Sequence, residues 1–140
     1  MLTYNRRRFI QQMACIAGSY TFVSRSLGQS GNEVLDGIRS FIHRTAQKDG
    51  SFTPGIDPQY AGMSDTNLSG IAAPAYATIL SRSFGWDLPY PDETKEFIHR
   101  CQKPDGAFYP PTGTMDPQSP QAKFYNTAQG VVALKWMNEK

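Results

Sequence analysis

The chain has 140 residues, 19% of them charged, and a formal net charge of +2, a size that suits a single domain with its own hydrophobic core. The positive charge lies at the start, because Arg6, Arg7, Arg8 and Arg25 are the only basic residues before position 33. Without residues 1–28 the chain has ten basic and twelve acidic residues and no Lys/Arg cluster of the kind that a phosphate backbone requires. The composition therefore predicts no nucleic-acid partner.

Residues 1–28 have the pattern of an export signal. Arginines precede an apolar run at residues 13–23, and Ser26 and Gly28 supply the small side chains that a signal peptidase accepts. The string RRRFI at residues 6–10 resembles the twin-arginine signal. The apolar run is far shorter than the roughly 20 residues of a stable membrane span. We therefore expect export to the periplasm or the extracellular space; the alternative is an N-terminal amphipathic helix of a cytoplasmic protein.

Two helices of different polarity are predicted between residues 32 and 85. The first begins at Asn32 and is amphipathic, with an apolar face formed by Val34, Leu35, Ile38, Phe41 and Ile42. The second begins at the Ser64-Asp65 pair, which suits helix capping, and is apolar almost all round. That pattern predicts a buried helix, in which Pro74 either introduces a kink or marks the true start.

A third helix, amphipathic like the first, is predicted in residues 89–102, with Asp92 or Thr94 as its cap. Its inward stripe consists of Phe97, Ile98 and Cys101. Cys101 is the only cysteine outside residues 1–28, so an exported chain that has lost them forms no intramolecular disulfide. We expect a buried free thiol here rather than a nucleophile.

A fourth helix is predicted in residues 123–140, where apolar side chains occupy most sides, and it is expected to be buried like the second. Outer and buried helices therefore alternate along the chain. This order predicts an all-α fold of two αα-hairpin repeats, at about residues 33–83 and 92–138 of a repeat domain that spans residues 29–140.

An internal repeat supports that division. The string FIHRTAQKDGSF at residues 41–52 returns as FIHRCQKPDGAF at residues 97–108, and Gln47 matches Gln102 with a one-residue slip. In each string an Asp-Gly pair predicts a turn with glycine at positive φ, after which the phenylalanine packs back on the helices. The long connections that follow both contain Asp-Pro-Gln, which indicates that they belong to the repeating unit.

The strings at residues 47–52 (Gln-x-x-Gly-x-Phe) and 102–108 (Gln-x-x-x-Gly-x-Phe) resemble the repeats of the prenyltransferase and squalene cyclase (terpenoid cyclase) superfamily. The resemblance covers residues 33–138, with Phe where the cyclases have Trp. It implies an α/α toroid, which in its closed form is a ring of helix hairpins around a central active cavity. Two hairpins make only a partial toroid, so the resemblance implies a homo-oligomer or another protein partner.

The resemblance does not extend to catalytic residues. The Asp-x-Asp-Asp string of the cyclases and the Asp-Gly-Cys stretch of the zinc-dependent protein prenyltransferases do not occur in this sequence. Asp65 lies near the start of an inner helix, where the resemblance places active sites, but a helix N-terminus favours the ionised carboxylate. We interpret Asp65 as a cap rather than a general acid, and predict no catalytic residue and no cofactor.

His43 and His99, with Asp49 and Asp105, are the candidate zinc ligands. Because they recur at matching positions and lack the close ligand pairs of zinc sites, we assign them to the joint between repeats and predict no metal. Aromatic side chains offer a groove for an apolar or sugar ligand, although core and interface packing is expected for most of them: Tyr60, Trp86, Tyr90, Tyr109, Phe124 and Tyr125.

These patterns favour an exported, non-catalytic helical-repeat protein that acts as a binding or assembly module. The alternative is an enzyme that acts on terpenoid, prenyl or polysaccharide substrates and is complete only as an oligomer or in a longer chain. A chain that stays monomeric in solution would argue against the assembled enzyme, because an enzyme that is completed by assembly is not a monomer.

Overall fold

The computed structural model describes residues 28–60 and 62–138, which contain helices and no β-strand. The helices are α1 (Gly28–Thr45), α2 (Asp65–Leu68), α3 (Ala72–Phe84), α4 (Pro91–Cys101) and α5 (Pro120–Asn138). The predicted all-α class is confirmed for these residues. The predicted signal peptide, apart from Gly28, lies outside them.

The chain divides into two compact units, Met1–Ile38 and Arg39–Lys140, and α1 runs across the boundary. Within the second unit, the end of α1 is fixed by Ile42 and Thr45, which are both buried. The hydroxyl of Thr45 donates a hydrogen bond to the carbonyl oxygen of Phe41 over 2.9 Å. Of the predicted apolar face, Phe41 is 42% exposed and Val34 is 61% exposed, so these two side chains are not buried.

The predicted second helix is two helices. The N-cap of α2 is Ser64, whose hydroxyl accepts a hydrogen bond from the backbone N–H of Asn67 over 3.3 Å. The interpretation of Asp65 as the cap is therefore wrong. Pro74 is the third residue of α3, where a backbone N–H has no partner inside the helix, so it marks the start of a helix rather than a kink. As predicted, α3 is buried on most sides.

Pro91 is the first residue of α4, and its fixed φ suits that position. Neither Asp92 nor Thr94 is the cap, because Tyr90 precedes the helix in a left-handed conformation and makes no side-chain capping bond. Sequence inspection missed this start because a tyrosine at φ 50° has no local signal. The predicted inward stripe of α4 is confirmed, since Phe97, Ile98 and Cys101 are all buried.

One hydrophobic core joins α3, α4 and α5. Within it, α5 packs more extensively on α3 than on α4. Side chains from both halves of the second unit meet in it: Ile71, Ala75, Phe97, Ile98, Cys101, Phe108 and Ala133. Phe52 and Phe108, which follow the two Asp-Gly pairs, are both buried, so the prediction that these aromatic rings pack inward is confirmed.

Candidate functional site

Two turns, at residues 47–51 and 103–107, have the same backbone structure. In each turn, the N–H of the first residue donates to the carbonyl oxygen of the fifth over 2.8 Å. The N–H of the fourth residue donates to the carbonyl oxygen of the first. The fourth residue is Gly50 in turn 1 and Gly106 in turn 2, with φ values of 84° and 83°, which glycine adopts readily. Each turn closes with one isolated bridge: Ala46 with Phe52, and Gln102 with Phe108.

These bridges show that the two strings correspond at a constant spacing of 56 residues. Gln102 therefore occupies the position of Ala46, and the match of Gln47 to Gln102 by a one-residue slip is wrong. The side-chain amide of Gln47 donates to the carbonyl oxygen of Thr45 over 3.2 Å, a local bond to the last residue of α1.

Turn 1 packs against the first and last turns of α4. A Cβ on Gly50 would overlap the backbone carbonyl of Glu93, so only glycine allows this approach. The guanidinium of Arg100 donates to the carbonyl oxygen of Asp49 over 3.0 Å and lies 5.8 Å from the ring centre of Phe97, within cation–π range. The first turn is thus held by α4, which follows it in the chain.

Among the residues that the structure describes, no helix packs on turn 2 in this way. No heavy atom lies within 4 Å of the position that a Cβ on Gly106 would occupy. The carboxylate of Asp105 accepts a hydrogen bond from the ammonium of Lys123 over 2.9 Å, and both side chains are half exposed. Hydrogen bonds from Lys123 and from the N–H of Ala107 lower the pKa of Asp105. The glycine position that is covered in turn 1 is therefore open in turn 2.

The last helix, α5, is buried on one face only. The hydroxyl of Ser119 accepts from the N–H of Ala122 over 3.1 Å and so caps the first turn. The buried stripe consists of Ala122, Asn126, Gly130 and Ala133. Gly130 touches the ring of Phe108 so closely that a Cβ there would overlap it. Small residues on this stripe allow α5 to approach its neighbours.

The opposite face of α5 is apolar and exposed. Phe124 is 79% exposed, and Val131 is 53% exposed. A groove of about 610 Å³ runs along this face, and we call it the α5 groove; its lining is Pro120, Lys123, Phe124, Thr127, Ala128, Val131 and Val132. The prediction that this helix is buried on most sides is wrong for this face, because a uniformly apolar pattern does not reveal whether a neighbour is present.

Lys123 connects the two open features. Its side chain lines the α5 groove, and its ammonium binds Asp105 in turn 2. Turn 2 and the α5 groove are therefore adjacent on the surface.

A polar cluster lies between α2, α3 and α5. The hydroxyl of Tyr76 donates to a carboxylate oxygen of Asp65 over 2.9 Å and lies 3.2 Å from the hydroxyl of Tyr125. The amide of Gln129 donates to Tyr76 over 3.4 Å. Burial, followed by the bond to Tyr76, raises the pKa of Tyr125, so its phenol stays protonated. Asp65 thus binds a tyrosine.

The predicted zinc candidates do not form a site. His43 and His99 lie exposed on α1 and α4, while the carboxylates of Asp49 and Asp105 accept N–H bonds within their own turns. Among the residues that the structure describes, no group of three or more His, Cys, Asp or Glu side chains is close enough to hold a metal.

Cys101 is buried and free, as predicted. Burial raises the pKa of its thiol to about 11, and the nearby charges of Arg100 and Lys103 lower it only in part. A thiol with this pKa is a poor nucleophile near neutral pH.

The six candidate aromatic residues do not share a groove. Trp86 lines a polar cleft beside α3, Phe124 lines the α5 groove, and Tyr109 lines a third cleft beside turn 1. None of the six is fully buried, so the expectation of core packing is wrong for them, while interface packing stays a prediction. Trp86 instead stacks on Phe84 with ring centres 4.8 Å apart.

Comparison of the chain with protein-family models, curated proteins and solved structures returned no significant match. None of the helices in residues 28–60 and 62–138 has both the length and the apolar composition that crossing a bilayer requires.

Proposed function

We propose that this chain is an exported, non-catalytic helical-repeat protein that resembles the prenyltransferase and squalene cyclase superfamily and acts as a binding or assembly module. The observation that supports this function is the α5 groove, a continuous apolar face on the last helix. Exposed apolar patches of this kind on a folded domain mark interaction sites.

The proposed architecture is a pair of αα-hairpin repeats that form part of an α/α toroid. It is supported by the two identical turns at a spacing of 56 residues and by the packing of α3 on α5. In this arrangement α1 and α4 are the outer helices, and α3 and α5 are the inner ones. A helix array that ends on an apolar face requires a cap or a partner.

The chemistry of the groove favours a protein partner over a sugar. Only Lys123 and Thr127 bring polar side-chain groups to its lining, whereas sugar sites rely on several hydrogen-bonding groups. An amphipathic helix of a partner protein fits this groove, because its apolar stripe covers the exposed apolar side chains.

Site-specific photo-crosslinking in the native cells tests the proposal. A photoreactive amino acid at Val131 is expected to give a covalent protein adduct, because the groove is covered when the module acts. The matched control is the same group at Met63, which is 87% exposed but lies in a loop outside the groove. Adducts from neither position, or equally from both, contradict the proposed function.

Export is a separate part of the proposal, and the pattern at residues 6–10 supports it. Replacing Arg6 and Arg7 together with lysine is expected to keep the protein in the cytoplasm, because twin-arginine transport depends on the arginine pair. Arg25→Lys is the control and leaves export unchanged. Equal fractionation of the two variants would show that the leader is not a twin-arginine signal.

The alternative function is an enzyme on terpenoid, prenyl or polysaccharide substrates whose cavity is completed by assembly or by a longer chain. The observation that favours it is the Asp65–Tyr76–Tyr125 cluster, because a carboxylate and two phenols can move protons. Turnover of a prenyl diphosphate that disappears in Tyr76→Phe, with assembly unchanged, supports this alternative. Turnover that survives the substitution excludes this cluster as its site.

A further inference from the structure

Resting on the proposed function, we infer that the partner of the open end is a second copy of this chain, which docks head to tail by placing Phe41 and Arg44 of its α1 against turn 2. The inference comes from comparing matched positions in the two halves of the second compact unit.

Most matched positions are equally buried in both halves. Ile42 and Ile98 are buried, as are Thr45 and Cys101, which lie 56 residues apart in each case. The ends of α1 and α4 therefore bury the same two matched positions. Positions that differ between the halves report instead on the presence or absence of a neighbour.

The first difference is at the turns. Gly50 is buried against the backbone of Glu93 and Thr94, whereas Gly106 faces open space. Turn 2 has the conformation that allows close approach of an outer helix but no outer helix on it. It is the surface that turn 1 would present if α4 were removed.

The second difference lies in the helices that precede the two turns, and here the first half is the more exposed one. Phe97 on α4 is 4% exposed, whereas the matching Phe41 on α1 is 42% exposed. Phe97 and Arg100 line the same cleft as Asp49 of turn 1. Arg44, which matches Arg100, lies exposed on α1. Phe97 also packs in the hydrophobic core, whereas Arg100 binds turn 1 directly. Among the described residues, no turn lies beside the matching Arg44 at the end of α1.

Within the described residues, turn 2 has no helix packed on it and Arg44 has no turn beside it, so a single head-to-tail contact between two copies satisfies both. In that contact Arg44 of the second copy donates to the carbonyl oxygen of Asp105, as Arg100 does to Asp49 within one chain. Because Lys123 joins turn 2 to the α5 groove, the second copy also lies at the edge of the groove. A contact between unlike surfaces leaves a free surface at each end, so assembly can continue beyond a dimer.

The mass of the purified full chain in solution, measured by light scattering and sedimentation over a range of concentrations, tests this inference. The wild-type mass is expected to rise above the 15.6 kDa of one chain as concentration increases. Gly106→Asn blocks the turn end, because asparagine tolerates a left-handed φ but adds a Cβ where the helix must approach. Arg44→Glu blocks the helix end, and each variant weakens self-association at least about tenfold.

The control is Gly85→Asn, which also replaces a left-handed glycine with open space around it and should associate like the wild type. Circular dichroism confirms that all variants fold. Mixing Gly106→Asn with Arg44→Glu is the decisive step, because one intact end remains on each and a heterodimer of limited size must form.

A wild-type chain that stays monomeric throughout, a Gly106→Asn variant that assembles like the wild type, or a mixture of the two variants that stays monomeric overturns the inference. If the Val131 adduct found in cells contains a different protein and the wild-type chain also stays monomeric, the proposed function survives and the second copy is excluded. If no adduct forms there at all, the proposed function itself fails.

Discussion

The backbone of Gly50 lies so close to the carbonyl oxygen of Glu93 that no side chain fits between them. Gly106 has the same left-handed φ but open space around it. The two positions therefore separate two requirements for glycine, a backbone conformation and a close approach, that usually occur together.

Alanine substitution at the two glycines should give unequal losses of stability. Gly106→Ala is expected to lower the free energy of unfolding by about 1–2 kcal/mol, the cost of a left-handed alanine. Gly50→Ala should cost about 1–3 kcal/mol more, because the new methyl group forces turn 1 away from α4. Urea unfolding at low protein concentration measures both. Equal losses of stability would mean that turn 1 does not pack against α4.

Phe108 is expected to be a main contributor to the core. It is fully buried and touches Gly130, so Phe108→Ala should lower the free energy of unfolding by about 3–5 kcal/mol. Phe124→Ala is the matched control on the exposed face of α5 and should change the monomer by less than about 0.5 kcal/mol. Thermal and urea unfolding provide the comparison. A large loss for Phe124→Ala in the monomer would show that the α5 groove is covered from within the chain.

The sequence was sufficient to predict what depends on local pattern. Helix periodicity predicted the all-α class and the inward stripe of α4, and the repeated Asp-Gly pair predicted two turns with glycine at positive φ. These features follow from residues a few positions apart, so their physics is visible in a short string.

Features that depend on distant neighbours were not predictable in the same way. The apolar composition of α5 predicted burial, yet Val131 is exposed because no helix lies beyond α5 in the described chain. The start of α4 was missed because Tyr90 adopts a left-handed φ without a sequence signal. The Asp65–Tyr76–Tyr125 cluster was also missed, since it joins residues up to 60 positions apart across three helices.

The buried side chains of Ser69, before α3, and Asn126, on α5, are expected to contribute cooperatively to the free energy of unfolding. The hydroxyl of Ser69 donates to the side-chain carbonyl of Asn126 and also accepts the N–H of Ile71 over 3.3 Å. Asn126→Ala leaves a buried hydroxyl without its acceptor and is expected to lower the free energy of unfolding by about 1–3 kcal/mol. A double-mutant cycle with Ser69→Ala measures the coupling. Strictly additive losses would show that the two side chains act independently.

The thiol of Cys101 should make stability depend on pH in the alkaline range. Burial raises its pKa from 9.0 to about 11, so the folded chain holds the proton more tightly than the unfolded chain. The resulting stabilisation is complete below pH 9 and is lost as the pH rises through about 11, where both states are deprotonated. In a Cys15→Ala background, the additional substitution Cys101→Ala removes this contribution, so the two chains should differ in the slope of unfolding free energy against pH.

A thiol reagent at pH 8 provides an independent measurement on the same pair of chains. Cys101 should react slowly in the folded chain and rapidly in denaturant, because only the thiolate reacts and burial disfavours it. Fast labelling of the native protein, or equal pH slopes with and without Cys101, would place this thiol at the surface. Such a result would also remove the buried stripe on which α4 packs, and with it the correspondence between Thr45 and Cys101 in the two halves of the chain.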